Sequence, residues 1–265
     1  MSGFSSDWLA LREVADRSAR SRLLIAQICE FVEARGLNKP DTPLRITDLG
    51  CGTGATLRAL DPYLPAQTQW HLVDNDADLL ARAQAAARPG QRLTIAQIDL
   101  ATAVESALAH PVDLVTASAL IDLVSLAWLE RLLDLMPAGA ALYLALTYDG
   151  HELWEPADAA EPEALRAFAA HMCGDKGFGP ALGGAAAETV SDMLTARGWT
   201  VHAAESPWQL GPTERALIEA LADGAAAAVA ETGALAPAQH AAWHGARRRT
   251  TRVEIGHRDI LAFPP

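Results

Sequence analysis

Apolar positions first recur at helical spacing and then switch to short runs divided by helical stretches. Trp8, Leu11, Val14 and Ala15 follow Asp7, whose carboxylate is expected to cap that segment, and Leu23, Leu24, Ile28, Phe31 and Val32 carry a second helix as far as Gly36. Pro40 and Pro43 close it. Beyond them the runs predict strands over 44–49, 69–74, 92–99, 112–117 and 141–148, with helices over 55–60, 77–87 and 126–135. Pro89-Gly90, and later Pro137 and Gly139, end two of those helices. A helix over 188–197, a strand over 200–204, two alanine-rich helices at about 213–231 and 237–249 and a last strand over 252–263 complete the pattern. Such alternation predicts an α/β fold, mainly a parallel sheet with helices on both faces. The stretch 151–184 is polar, rich in Gly and Pro, and too long for an ordinary connection, so it reads as a lid or a small inserted element. No internal repeat is apparent, and the whole of 1–265 reads as one domain.

Composition narrows the classes. Half of the 265 residues are hydrophobic and 20% are charged, which supplies a sizeable core and excludes disorder as the default. Lys and Arg number 21 against 33 Asp and Glu, a net charge of −12, which disfavours nucleic acid as a partner. Arg247-Arg248-Arg249 is the basic cluster, and it reads as a solvated helix end. Apolar runs such as 225–230 fall far short of the roughly 20 residues of a membrane span. The opening residues lack a basic and then apolar leader pattern, so no secretory signal and no membrane partner are expected. Cys29, Cys51 and Cys173 form no CxxC pair and no disulfide framework, which fits a reducing cytoplasmic setting. His240 and His244 have helical spacing, but HEXXH and a third ligand are absent, so an exposed face and no metal are expected.

The most informative segment is Asp48-Leu-Gly50-Cys51-Gly52-Thr-Gly54-Ala55. Glycines between a strand and a helix permit a tight turn and let a ligand approach bare backbone. Gly50, Gly52 and Ala55 also satisfy the dinucleotide pattern G-x-G-x-x-A, which leaves an NAD(P)-dependent oxidoreductase as an alternative. Asp48 places negative charge where a dinucleotide enzyme puts a pyrophosphate, and Gly54 adds a third close-approach point. A ligand with a cationic head suits this loop better than a diphosphate.

Asp48-Leu-Gly-Cys-Gly-Thr-Gly resembles motif I of the class I, Rossmann-like S-adenosylmethionine-dependent methyltransferases, and the resemblance continues over about 44–149. Asp74 ends the second strand, Asp99 the third, and 112–122 resembles the family's fourth strand and following loop. The resemblance implies a doubly wound, seven-stranded, mostly parallel sheet with an antiparallel last strand, N-terminal helices and a helical insertion before that strand. It divides the chain into a helical cap over 1–40, a cofactor-binding core over 41–150, and an acceptor-side lid with C-terminal strands over 151–265. It also implies S-adenosyl-L-methionine as cofactor, with the backbone of Gly50, Cys51, Gly52 and Gly54 along the methionine part and Asp48 favouring its ammonium, directly or through the loop. Asp74, beside Asn75, would take the ribose diol, with Asp76 as the fallback. Asp99 and the Leu100 amide would meet the adenine, and Ala117 and Ser118 in the loop to Leu120 would wall the other ring face or the sulfonium. Both acids could equally be helix caps.

Methyl transfer from a sulfonium chiefly requires an acceptor held in line for SN2 displacement, with proton removal where the acceptor needs it. Asp122, Tyr148 and His151 are the candidate catalytic residues, and Asp122, Tyr148, Asp149, His171, Phe178 and Trp208 the candidate acceptor contacts. Asp122 as a helix cap and Tyr148 as packing are the competing readings. The expected acceptor is a small organic molecule. The Asn-Pro-Pro-Tyr signature of base-flipping relatives is absent after strand four, where the chain reads Ala117-Ser-Ala-Leu. A non-catalytic cofactor-binding subunit of the same fold is a further alternative. The alanine-rich helices leave open a homodimer surface, a pocket roof, or a hairpin covering its own sheet.

Overall fold

The computed structural model describes residues 5–39 and 41–265. Its first helix, α1 (Ser6–Ala19), is capped by Ser5, whose hydroxyl accepts the Trp8 N–H at 3.2 Å. Asp7 therefore lies in the first turn rather than at the cap. Helix α2 (Arg22–Ala34) follows, and Asn38–Lys39 and Thr42–Pro43 form a small hairpin in which Pro40, expected to close the segment, lies outside the described residues.

The sheet is built from β1 (Arg45–Leu49), β2 (Gln69–Asp74), β3 (Arg92–Gln97), β4 (Leu114–Ser118), β5 (Ala141–Glu155), β6 (Thr200–Glu205), β7 (Trp208–Leu210) and β8 (Arg252–Phe263). In space the order is β3-β2-β1-β4-β5-β8-β6, with β7 paired to the first part of β8. The first five strands are parallel, and β8 runs antiparallel between β5 and β6. The expected doubly wound sheet is present, with the short β7 as an eighth strand. Order reverses between β1 and β4, which opens a crevice beyond their carboxyl ends.

Both faces of this sheet are dry because successive strand residues alternate between two cores. Leu142, Leu144, Ile260 and Ala262 face α5 (Leu100–Ala107), α6 (Leu126–Asp134) and α8 (Ala186–Ala196). Ala141, Tyr143, Ala145 and Leu261 face α2, α3 (Ala55–Leu60) and α4 (Ala77–Ala85). Asp259, fully buried in β8, ties the layers together. Its carboxylate accepts the Ser21 N–H at 2.8 Å, the Tyr143 hydroxyl at 2.9 Å and the Leu146 N–H at 2.9 Å.

The segment 151–184 departs most from a loop. Strand β5 runs on to Glu155, and α7 (Glu161–Met172) follows with Ala160, Ala164, Ala167 and Phe168 at helical spacing on its packed side. Helices α9 (Arg215–Thr232) and α10 (Pro237–Arg247) pack with α7 around the buried Trp243, while Leu217, Ile218 and Ala222 of α9 also cover the sheet residues Trp154, Trp208, Val253 and Ile255. Arg247 is not a solvated helix end. It is 2% exposed, paired with Glu152 and Glu161, whereas Arg248 pairs with Asp223 and Glu219 nearer the surface. His240 and His244 are half-buried rather than exposed, beside the Ala226 carbonyl at 2.8 Å and Asp223 at 2.7 Å.

Candidate active site

The loop leaving β1 owes its shape to glycine. Gly50, Gly52 and Gly54 have φ of 64°, 54° and 83°, a region that side chains disfavour. Gly54 caps α3, and the Cys51 N–H reaches the Val73 carbonyl at 3.0 Å, fastening the loop to β2. Asp74 then clamps it from the next strand, accepting the Gly52 N–H at 2.8 Å and the Asp76 N–H at 3.0 Å. Asp76 spends its own carboxylate on α4, accepting from Asp78 and Leu79, so of the two acids Asp74 is the one turned to the loop.

Asp48 lies beneath the loop, 1% exposed, with one oxygen accepting the Thr116 hydroxyl at 2.7 Å and the other unpartnered. Burial raises its pKa to about 7, against the opposing effects of the Thr116 bond and the Arg20 charge. It can therefore act on a ligand only through the loop and not by direct contact. Burial also holds the Cys51 thiol well above its ordinary pKa, so its use is packing and not nucleophilic chemistry. Asn75 is exposed at the end of β2, where its carbonyl accepts from Gln97 at 3.1 Å. Asp99 is an exposed cap of α5, with one oxygen accepting the Ala101 N–H at 3.0 Å. Leu100 is buried, and its carbonyl accepts the Trp128 indole N–H at 2.6 Å. Ala117 is buried near the end of β4, and Ser118 next to it accepts from Arg20 at 3.0 Å.

Helix α1 and the turn after it roof the crevice, which the sequence reading missed. A Cβ on Gly52 would lie 3.0 Å from the Leu9 side chain, so α1 rests on the glycine loop. Arg20 is 4% exposed, and its Nε and Nη1 have no partner among the described residues. Arg12 pairs with Asp16 at 2.9 Å and lies 4.9 Å over the Trp208 ring, while the Trp208 N–H donates to Asp16 at 3.1 Å. His257 on β8 packs 4.9 Å from Trp208 and 6.4 Å from Tyr148. Burial, and next the Arg12 charge, lower its pKa to about 3, so the imidazole is neutral near pH 7.

Asp122 joins this group from the turn Ile121–Leu123 after β4. It is 6% exposed, Oδ1 has no partner, and burial raises its pKa to about 6 against its own and the Tyr148 backbone amides and the Arg12 charge. The backbone is strained on either side of it: Ala119 and Leu146 have φ of 51° and 54°. Non-glycine residues in that region cost about 1–3 kcal/mol each and cluster at functional sites. Tyr148 is buried and donates to Glu152 at 3.2 Å. Burial and then the Glu152 charge push its phenol pKa far up, so it keeps its proton and acts as a hydrogen-bond donor near pH 7.

Four other candidates stand apart. The His151 side chain is 64% exposed, 4.0 Å from Glu254. Asp149 accepts the His151 N–H at 3.0 Å and lies against Gly256. His171 is bound to Glu231 at 3.1 Å and to Lys176, and Phe178 stacks edge-on against Trp128 at 5.4 Å. Asp149, His171 and Phe178 are engaged with local partners, whereas the His151 side chain is open to solvent. Trp208 and Tyr148 do converge with Asp122.

Comparison with known proteins agrees with this geometry. A family model described as a methyltransferase domain matches residues 46–137, the stretch holding β1 to β4, Asp74 and Asp99. Over 108 residues the chain is 36% identical to a trans-aconitate 2-methyltransferase from Streptomyces avermitilis, covering 40% of this chain and 37% of that protein. The chain thus spans well under half of the curated relative it matches. A solved structure, the cyclopropane-fatty-acyl-phospholipid synthase-like protein from Lactobacillus casei, has the same fold with a TM-score of 0.58 at 15% identity, covering 98% of this chain and 95% of that one. Residues 46–137 thus resemble a methyltransferase domain, and the fold around them is the one this solved structure has.

Proposed function

We propose that the protein transfers the methyl group of S-adenosyl-L-methionine to a small organic acceptor by in-line displacement. The observation that carries this reading is the Asp74 clamp on Gly52, a backbone cradle that a Cβ would fill. The loop fits the amino-acid end of the cofactor: its glycines leave backbone free, and the two open Arg20 donors lie nearby. Asp74, beside Asn75, would hold the ribose diol, Asp99 and Leu100 the adenine, and Ala117 and Ser118 the wall beyond. Asp48 supports the loop from below through its bond to Thr116. When bound, S-adenosylmethionine supplies a methyl on a sulfonium, already activated for attack by an acceptor lone pair.

What remains for the chain is alignment and proton removal. Trp208, Tyr148 and neutral His257 shape a dry wall, and positioning of this kind can supply on the order of 7–11 kcal/mol. Asp122, with a pKa of about 6, is ionised near pH 7 and can take the proton of a hydroxyl or amine acceptor.

Isothermal titration with S-adenosylhomocysteine and with NADPH tests the reading. We expect binding of the former alone, weakened more than tenfold in Asp74→Ala, which loses a charge-assisted contact of roughly 1.5–3 kcal/mol. Binding of NADPH alone would overturn it. Unchanged affinity in the variant would remove Asp74 from the site.

A further inference from the structure

A cavity of about 140 Å³ lies on the far side of the Tyr148 ring, walled by Phe168, Met172, Leu221, Ala225 and Arg247. We infer that it receives an uncharged aromatic or acyl part of the methyl acceptor, with a neutral carbonyl or hydroxyl group at Arg247; this rests on the methyltransferase reading. Apolar cavities of roughly 150 Å³ stay dry and accept a single aromatic ring. Here the wall is contributed by α7 and α9, elements outside the core strands, and Tyr148 joins the cavity to the Asp122 side of β5.

Arg247 and Glu152 line the polar end of the cavity and belong to a buried ion network. Arg247 Nε and Nη2 donate to Glu161, and Nη2 also to Glu152 at 3.0 Å. Trp243 donates to Glu161 and Trp154 to Glu152, each at 2.8 Å, and Tyr148 donates to the other Glu152 oxygen. The Trp154 ring lies 4.0 Å from the guanidinium carbon. Arg247 is 2% exposed, and Nη1 alone among its nitrogens has no partner. A buried donor left open in an otherwise satisfied network calls for an acceptor atom. That atom belongs to a neutral group: one guanidinium already faces two carboxylates, so a third would enter a site of surplus negative charge with little water to screen it.

The test uses the full chain saturated with S-adenosylhomocysteine and three probes of matched shape: acetophenone, benzoate and benzylamine. Titrations followed by ligand-observed NMR should show acetophenone binding at least about tenfold more tightly than either ion, because benzoate adds a third carboxylate and benzylamine brings a cation with no acceptor atom up to the Arg247 guanidinium. Ala225→Phe and Leu221→Trp fill the cavity from α9 without touching the ion network. Each should weaken acetophenone about tenfold or more and leave S-adenosylhomocysteine affinity within about twofold. Leu221 is half-buried, so its variant remains informative if Ala225→Phe folds poorly. Equal or tighter binding of benzoate or benzylamine, retention of acetophenone by a folded variant, or no acetophenone binding to the parent protein would overturn the inference. Acetophenone binding with no affinity for S-adenosylhomocysteine would sink the cofactor reading and leave the pocket standing.

Discussion

Replacing His257 by Phe isolates the cost of keeping an imidazole neutral in a closed wall. The ring is 6% exposed, packed on Trp208 and Tyr148, with Nδ1 unpartnered and Arg12 nearby. Its pKa falls from 6.5 to about 3 on folding, so stability is complete above the unfolded value and is lost as pH drops toward the folded one. Each factor of ten in proton affinity is worth about 1.4 kcal/mol. Between pH 7 and pH 5 the unfolded chain gains a proton at this position and the folded chain does not, a loss of about 2 kcal/mol of folding stability. Phe preserves an apolar ring of similar size and cannot titrate. Urea unfolding of both proteins at the two pH values should therefore show the decrease from pH 7 to pH 5 smaller by about 2 kcal/mol in His257→Phe, with the other titrating groups cancelling. Equal decreases would refute the argument and place His257 in contact with solvent or an acceptor that keeps its affinity ordinary.

Two further outcomes follow from the same crevice. Gly52→Ala adds a methyl 3.0 Å from Leu9 at a φ of 54°, at a cost of about 1–2 kcal/mol; circular dichroism should show an intact fold, and titration a loss of S-adenosylhomocysteine affinity of about tenfold or more. Asp122 must be ionised to take a proton, so kcat/KM with any turned-over hydroxyl or amine acceptor should rise with pH through about 6 and then level. Asp122→Asn should lower the plateau about a hundredfold and abolish that limb, and a retained limb would assign it elsewhere.

The β-α alternation, the glycine turn and both strand-end acids were legible because each depends on local spacing. Helix α7 lies within the stretch that reads as a lid or small inserted element, and its bounds were not legible because its Phe168 face has a partner only once α9 folds against it. Arg247 looked solvated for a similar reason: Glu152 and Glu161 stand 95 and 86 residues away, and a run of like charges says nothing of distant carboxylates. Arg12, Asp16 and His257 passed unnoticed because no motif marks them; what joins them is Trp208, which accepts one cation over its ring and donates to one acid. The Tyr148 bond to Glu152 was not legible, since that neighbour is visible only when β5 continues past its expected end.

The bond from Ser21 to Asp259 spans 238 residues. Helix α1 also rests on nearer partners, Glu13 on Arg58 and Leu9 on the glycine loop, but this tie waits on a strand far along the chain. A crevice roofed by α1 and tied to β8 thus depends on contacts of very long sequence separation, which are the slow ones to form.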